Sequence, residues 1–287
     1  MSERPMDAAD SARQRPRMIG WPVPDPVVPD DVSPILAEAA RAAVTAFRLA
    51  RRRFDREELA EKVQMGADGT PTMRLDLAVD TAIAEVIQKH RINLLSEEIG
   101  VIDNGSATTL VVDPVDGTAN AAAGVPLSAF AAAVSRDGVL TESLTCWLDT
   151  GRCWHAVAGR PTPFRTTGRT ALDGGAISLL RPHPHGNRDA WWRVTERAAR
   201  VRILSTSCLE AALVAEGSTD AFADAGTDTH RIVDLAAAMV LVPAAGGAVL
   251  DAYGRPLVVD NDLTRRWSGV VAATPQLAEE IAAAIRG

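Results

Sequence analysis

Thr109-Leu110-Val111-Val112-Asp113-Pro114-Val115-Asp116-Gly117-Thr118 reads as a buried strand that runs into two carboxylates. The unbroken apolar run Thr109–Val112 suits a strand covered on both faces. Pro114 restrains the backbone between the acids, and Gly117 lets the chain turn sharply after them. Two carboxylates delivered so close together repel unless a cation lies between them, and an all-oxygen set favours a hard ion such as Mg²⁺. Behind them, the N–H groups of Gly117 and Thr118 stand at a possible helix start and suit a phosphate. The plainer reading is an Asp-Pro/Asp-Gly turn that closes a strand. The segment alone does not separate the two.

Further acids border apolar segments on both sides of this strand. Glu97 and Glu98 follow the short run Asn93–Ser96, Asp76 stands between Leu75 and Leu77, and Asp234 opens VDLAAAMVLVPAAGG. Each has an ordinary explanation when taken singly. Adjacent acids at an element end are solvated, an acid in a first turn meets the helix dipole, and an Asp before an apolar run caps a helix. What shifts the balance is the ensemble of one strand end, one neighbouring loop and two helix starts.

The surrounding pattern is α/β. A helix is expected from Ser33, with Ser33 as N-cap and Pro34 in its first turn, carrying Ile35, Leu36, Ala39, Ala43, Val44 and Phe47 at helical spacing. GADGTPT (Gly66–Thr72) is a turn-rich loop before a second amphipathic helix through Leu75–Ile87. Leu127–Val134 and Leu144–Trp147 are strand-like, the latter in a hairpin with Arg152–Ala158. From about Leu172, the runs AISLL, VRILS, GAVLD and GVVAAT alternate with helices, the mark of a layered α/β lobe. Residues 1–32, polar and then Pro-rich, read as a mobile extension, 33–171 as an N-terminal α+β lobe and 172–287 as a C-terminal α/β lobe.

Composition narrows the function. The formal net charge of −7, without basic blocks, argues against a nucleic-acid surface. Arg48 and Arg51–Arg53 fit a solvated helix face better than a binding patch. Cys146, Cys153 and Cys208 are odd in number and lack CxxC spacing, which speaks against a disulfide framework or zinc site and fits a reducing cytoplasm. The start lacks the apolar core of a signal peptide, and the stretch Leu235–Leu250 is too short and broken to span a bilayer, so no membrane partner is expected. His183 and His185 fall in a loop without a third zinc ligand, and neither a GxSxG elbow nor a GxxxxGK[ST] loop is present.

With those segments in view, the sequence resembles the inositol monophosphatase superfamily. LLSEEIG resembles its Glu-Glu motif, VVDPVDGTAN its Asp-Pro-x-Asp-Gly-Thr motif, and IVDLAAAMVLVPAAGG its C-terminal motif, in consistent order from about Ser33 onward. GADGTPTMRLD and SEEIGVIDNG look most like the archaeal-type branch, whose members often hydrolyse both inositol phosphate and fructose 1,6-bisphosphate. The resemblance implies a layered α/β/α/β/α sandwich, a homodimer, and a Mg²⁺-dependent phosphatase using two or three ions on a small phosphorylated polyol or sugar. By position, Glu97, Asp113, Asp116 and Asp234 would be the side-chain metal ligands, with the Val115 carbonyl as a backbone ligand and Asp113 shared by two ions. Asp76 and Thr118 would orient and deprotonate the attacking water, which Glu97 would help to hold. Gly117 and Thr118 would take the phosphate, and Ser205, Thr206 and Ser207 the alcohol part. Met73 stands where the family commonly has a basic residue, Val233 where it has Trp, and Phe222–Thr229 lacks a basic residue often found there. Three rivals share the page: a 3′-phosphoadenosine-type nucleotide phosphatase, a pathway-specific sugar phosphatase, and a non-catalytic relative kept as a binding or regulatory subunit.

Overall fold

The apolar rhythm after Ser33 forms α1 (Pro34–Arg53), which buries Leu36, Ala39, Ala43, Val44 and Phe47. This is a computed structural model that describes residues 22–183, 186 and 188–287. Pro34 sits in the first turn as expected, but the Ser33 hydroxyl makes no capping bond; its N–H instead donates to Glu142 Oε1 at 2.8 Å. Residues 1–21 of the expected extension, and His185, lie outside the described residues. Residues 22–32 are held against the molecule: Val32 is buried, Val23 and Val28 pack on the first core, and Val27 N–H donates to Gly151 O at 2.8 Å. In the basic run on α1, Arg52 and Arg53 are exposed as expected, but Arg51 and Arg48 are not on a solvated face. Arg51 is 5% exposed and pairs with Asp149 at 2.9 Å, and Arg48 pairs with Asp25.

After α2 (Arg56–Leu59), the expected loop Gly66–Thr72 is shortened to Gly66–Thr70, the tip of a hairpin of β1 (Lys62–Met65) and β2 (Pro71–Met73), because Pro71 and Thr72 pair with Met65 and Gln64. Helix α3 (Arg74–His90) follows directly and lies against α1. Then come β3 (Asn93–Ser96), β4 (Gly100–Ile102), β5 (Thr108–Asp116), the short α4 (Thr118–Ala123), β6 (Ala129–Arg136), β7 (Val139–Trp147) and β8 (Cys153–Val157). These six strands form one sheet in the order β4-β3-β5-β6-β7-β8. Strand β5, paired parallel to β3 and antiparallel to β6, is its centre, which explains the unbroken apolar run.

The second half supplies β9 (Ala176–Leu179), α5 (Arg188–Thr195), β10 (Arg200–Arg202), α6 (Ser207–Ala215), β11 (Ala221–Ala223), α7 (Ile232–Ala244), β12 (Ala248–Asp251), β13 (Gly269–Ala272) and α8 (Pro275–Arg286). Its sheet runs β10-β9-β11-β13-β12. Helices α1 and α3 cover one face of the first sheet, α6 and α7 lie between the sheets, and α8 with α5 closes the far side. The result is the five-layer α/β/α/β/α sandwich. The middle layer dictates the composition of α7: ten of its thirteen residues are buried, so a polar stripe of the kind a surface helix carries has no place there.

Candidate metal centre and phosphate turn

A regular strand points residues three apart to opposite faces of the sheet, yet Asp113 and Asp116 must meet. The irregularity in β5 resolves this. Asp113 pairs with Ala131 and Asp116 with Ala129, so the stretch holding Pro114 bulges by one residue. Proline lacks the N–H a regular ladder would use and is at home in such a break. The bulge turns both acids toward the middle layer, where carboxylate oxygens of each approach the Cys208 sulfur within 4.8 Å of one another. Glu97, Asp113 and Asp234 form a second group with the same spacing. Asp113 belongs to both groups.

Asp234 arrives from the first turn of α7, and Glu97 from the loop that follows β3. That loop is fixed from below by buried Asp80, whose Oδ1 accepts from Ser96 Oγ at 2.7 Å and Oδ2 from Ile99 N–H at 2.9 Å. Glu98 points elsewhere and accepts from the Thr72 hydroxyl. Asp116 Oδ2 accepts from Thr206 Oγ1 at 2.5 Å, from Cys208 N–H at 2.9 Å and from Leu209 N–H at 3.2 Å. Thr206 is thus engaged with a carboxylate. Its expected neighbours stand nearer solvent: Ser205, in a left-handed conformation at φ 61°, is exposed, and Ser207 is half-buried.

The electrostatics separate these acids. Burial drives the Asp113 carboxyl well above its ordinary value, and Glu97, Asp116 and Asp234 push it further. Burial also raises Glu97 to about 8 against the pull of Arg231, and Asp116 to about 6 against its hydrogen bonds from Thr206 and α6. Asp234 alone is lowered: burial opposes ionisation there, but Arg231 outweighs it. The oxygen donors fit a hard cation, whereas burial and the neighbouring acids hold the Cys208 thiol well above its ordinary range and so disfavour the thiolate a metal would take. Asp113 Oδ1 is buried without a hydrogen-bond partner, an expensive condition for a carboxylate oxygen that a coordinated ion would relieve.

Gly117 follows at φ 81°, and a Cβ there would lie 2.7 Å from Leu127 O and 3.1 Å from Thr206 Cβ. Any side chain would push this turn off its bed. Helix α4 begins at Thr118, so its first-turn N–H groups, which a helix leaves without internal partners, are the ones expected to meet a phosphate. Thr118 Oγ1 donates to Val115 O at 2.9 Å. It also touches Asp76, which burial and Glu98 raise well above its ordinary value while Thr118 opposes them. Asp76 Oδ1 is a second orphaned buried oxygen.

In the inositol monophosphatase model, which matches residues 31–287, the whole of this constellation is included. The chain belongs to the inositol monophosphatase family. A fructose-1,6-bisphosphatase/inositol-1-monophosphatase of Methanothermobacter thermautotrophicus is 32% identical over 78% of this chain and 87% of its own. A bifunctional NADP phosphatase/NAD kinase of Methanococcus maripaludis is 30% identical over 74% of this chain and 42% of its own. Among solved structures, the MJ0109 gene product, an inositol monophosphatase-fructose 1,6-bisphosphatase, superposes with a TM-score of 0.74 at 25% identity, over 87% of this chain and 96% of that one. Enzymes of this family are Mg²⁺-dependent phosphatases, and the acid cluster found here suits that ion.

Several residues of this family member escaped the sequence reading. Arg231 binds Asp234 through Nε at 3.1 Å and Nη2 at 2.9 Å, Asp68 through Nη1 at 2.8 Å, and Glu97 also through Nη1. Arg231 lies two positions beyond the segment Phe222–Thr229, which lacks a basic residue. Asn120 Nδ2 donates to Leu127 O, Leu204 O and Ser205 O, stitching the phosphate turn to the second half. Arg231 had a signal, its three-residue spacing before a helix-start acid. Asn120 had none, since its partners are carbonyls up to 85 positions away.

Proposed function

We propose that this chain hydrolyses the phosphate monoester of a small polyol or sugar with Mg²⁺ as cofactor. The reading is carried by Asp113, a buried acid shared by two potential ligand groups and left with an orphaned oxygen. Glu97, Asp113, Asp116, Asp234 and the Val115 carbonyl would hold the ions. Bound Mg²⁺ supplies Lewis acidity, which lowers the pKa of water and offsets charge developing on the ester oxygens.

The remaining work falls to the chain's own groups. Gly117 and Thr118 N–H groups orient the phosphate. A threonine hydroxyl has no useful acidity near neutral pH, so Thr118 would act as a relay: its hydroxyl, which donates to Val115 O while that carbonyl is free, would turn toward Asp76 once the carbonyl serves as a ligand, accepting a proton from the attacking water as its own passes on. Burial raises the proton affinity of Asp76, which makes its ionised form, the one the relay needs, the stronger base. Ser205 and Ser207 face the alcohol. The reading includes a homodimer in the cytoplasm; no described helix is long and apolar enough to cross a membrane, and light scattering of the purified protein checks the dimer.

The relative named as an NADP phosphatase gives a second reading, removal of a nucleotide 2′-phosphate. A phosphate-release panel with inositol 1-phosphate, fructose 1,6-bisphosphate, glycerol phosphates and NADP⁺ distinguishes them. Fastest release from a polyol or sugar ester in Mg²⁺, and none in excess chelator, is expected. Equal turnover with and without chelator, or no turnover of any ester, would sink the proposal.

A further inference from the structure

Cys146 on β7 and Cys153 on β8 face each other directly in the antiparallel register. Their hairpin closes with Trp147 N–H donating to Arg152 O at 2.8 Å and Gly151 N–H to Trp147 O at 2.9 Å, with Gly151 at φ 74°. This is a glycine bulge, and it makes Trp147 and Arg152 the hydrogen-bonded positions. The next pair along, Cys146 and Cys153, therefore occupies a non-hydrogen-bonded site. There the α-carbons of facing residues approach to about 4.5 Å, within the span of about 4.4–6.8 Å that a disulfide bridges. The two sulfurs are 2.7 Å apart, so nothing lies between them. Both belong to the first core, where the sole other hydrogen bond of either sulfur among the described residues is from Cys153 to Gly151 O at 3.6 Å.

We propose that Cys146 and Cys153 are a redox site that closes to a cross-strand disulfide when the protein meets a peroxide. Access decides the order of events. Cys146 is fully buried, whereas Cys153 is 9% exposed, so a small hydroperoxide reaches Cys153 first. Hydrogen peroxide converts the Cys153 thiol to a sulfenic acid, transferring one oxygen and releasing water. The Cys146 sulfur then attacks the Cys153 sulfur, the S–O bond breaks, and the Cys146 proton leaves with the hydroxyl as a second water. In sum, two thiols and one peroxide give one disulfide and two waters. The apolar surroundings tolerate the product, which is neutral, although burial pushes the Cys146 thiol up and makes closure slow.

The hairpin end fastened by this bond braces the phosphate turn from behind. Leu148 N–H donates to Ser128 O at 3.0 Å, Asp149 accepts from Ser128 Oγ at 2.8 Å, and Trp147 Nε1 donates to Pro126 O at 2.9 Å. The segment so held carries Leu127 O, the atom against which Gly117 packs. The disulfide is thus a latch on the bed of the turn, set apart from the metal ligands and independent of which ester is cleaved.

The test uses the purified full chain, treated with hydrogen peroxide or with a phosphine reductant, denatured, alkylated and digested for mass spectrometry. Expected after peroxide is a peptide pair joined through Cys146 and Cys153, with Cys208 still alkylated, and restoration of both thiols by reductant. Closing an eight-residue loop should raise the melting temperature by about 4 °C, reversibly. In Cys153→Ser, Cys146 should remain a free thiol and the shift should vanish. Three results would overturn the proposal: Cys146 and Cys153 both alkylated after peroxide, Cys153 driven to sulfinic acid with Cys146 untouched, or a bridge that leaves the melting temperature unchanged.

Discussion

Two groups of acids in this protein, each centred on a buried carboxyl, behave in opposite ways. Asp251, at the end of β12, accepts from Arg255 Nε and Nη2, from Ser268 N–H and from the N–H groups of Tyr253 and Arg255. Asp228 is held by the same Arg255 and by the Ser268 hydroxyl. Both carboxyls lie below their ordinary range, since hydrogen bonds from Arg255 outweigh burial. Asp113, equally buried, faces three other acids and keeps an orphaned oxygen. What distinguishes a structural acid from a working one is therefore compensation. The Asp251 group is complete as folded, and the Asp113 group is complete only with a cation added.

The largest expected effect follows from that contrast. Asp113→Asn should lower phosphate release by several orders of magnitude while leaving the metal-free protein at least as stable, because burial and three neighbouring acids already disfavour the ionised carboxyl there and an amide never has to ionise. Asp251→Asn should do the reverse, with turnover retained and stability reduced by about 2–3 kcal/mol through loss of charge-assisted hydrogen bonds. Thermal melts beside initial rates decide it, and a pair of variants that behave alike would erase the distinction. Next in size, Asp76→Asn and Thr118→Ala should each cost about 10²–10⁴ in rate, with the double variant little worse than either. Losses that multiply would show two independent residues.

Arg231 is the cation that partly compensates Glu97 and Asp234 in the Asp113 group, and its removal sharpens the comparison. Arg231→Met should make the metal-free protein melt earlier and bind Mg²⁺ about tenfold more tightly, since the guanidinium competes with the ion for Glu97 and Asp234. Calorimetric titration measures the affinity directly, and weaker binding would mean that Arg231 supports the site by orienting it. The smallest effect is in pH. Glu97 and Asp116, with folded values of about 8 and about 6, are raised above their unfolded values. Between roughly pH 4 and 8 the folded state therefore holds more protons than the unfolded one, and stability of the metal-free protein falls as pH rises. Saturating Mg²⁺ should flatten that slope, and a slope of the opposite sign without metal would contradict the assigned shifts.

Much of this was legible in the sequence because it is written locally. Runs such as Asn93–Ser96 and the Asp113–Thr118 segment carry their strand and turn in adjacent residues. The ends of elements were less legible. Strand β5 continues through both acids instead of stopping at Asp113, because the bulge lets Asp116 pair with Ala129, and a bulge leaves no periodic trace. Thr206 lay in the expected neighbourhood but turned to Asp116, a choice made by two elements 90 positions apart. Arg51 read as solvated for the same reason: its partner Asp149 is 98 positions away.

Helix α7 has a consequence for how the molecule opens. It lies between the two sheets and carries Asp234 to within 4.8 Å of the oxygens of Glu97 and Asp113, which hang from the first sheet. An ion gripped by those three is a clasp between halves of the chain far apart in sequence. Its binding energy counts against any fluctuation that parts α7 from β5, adding about 2.7 kcal/mol at a hundredfold excess over Kd. Amide protons of β5 and α7 should then exchange as a single unit when Mg²⁺ is present, with protection rising together as the ion is titrated in.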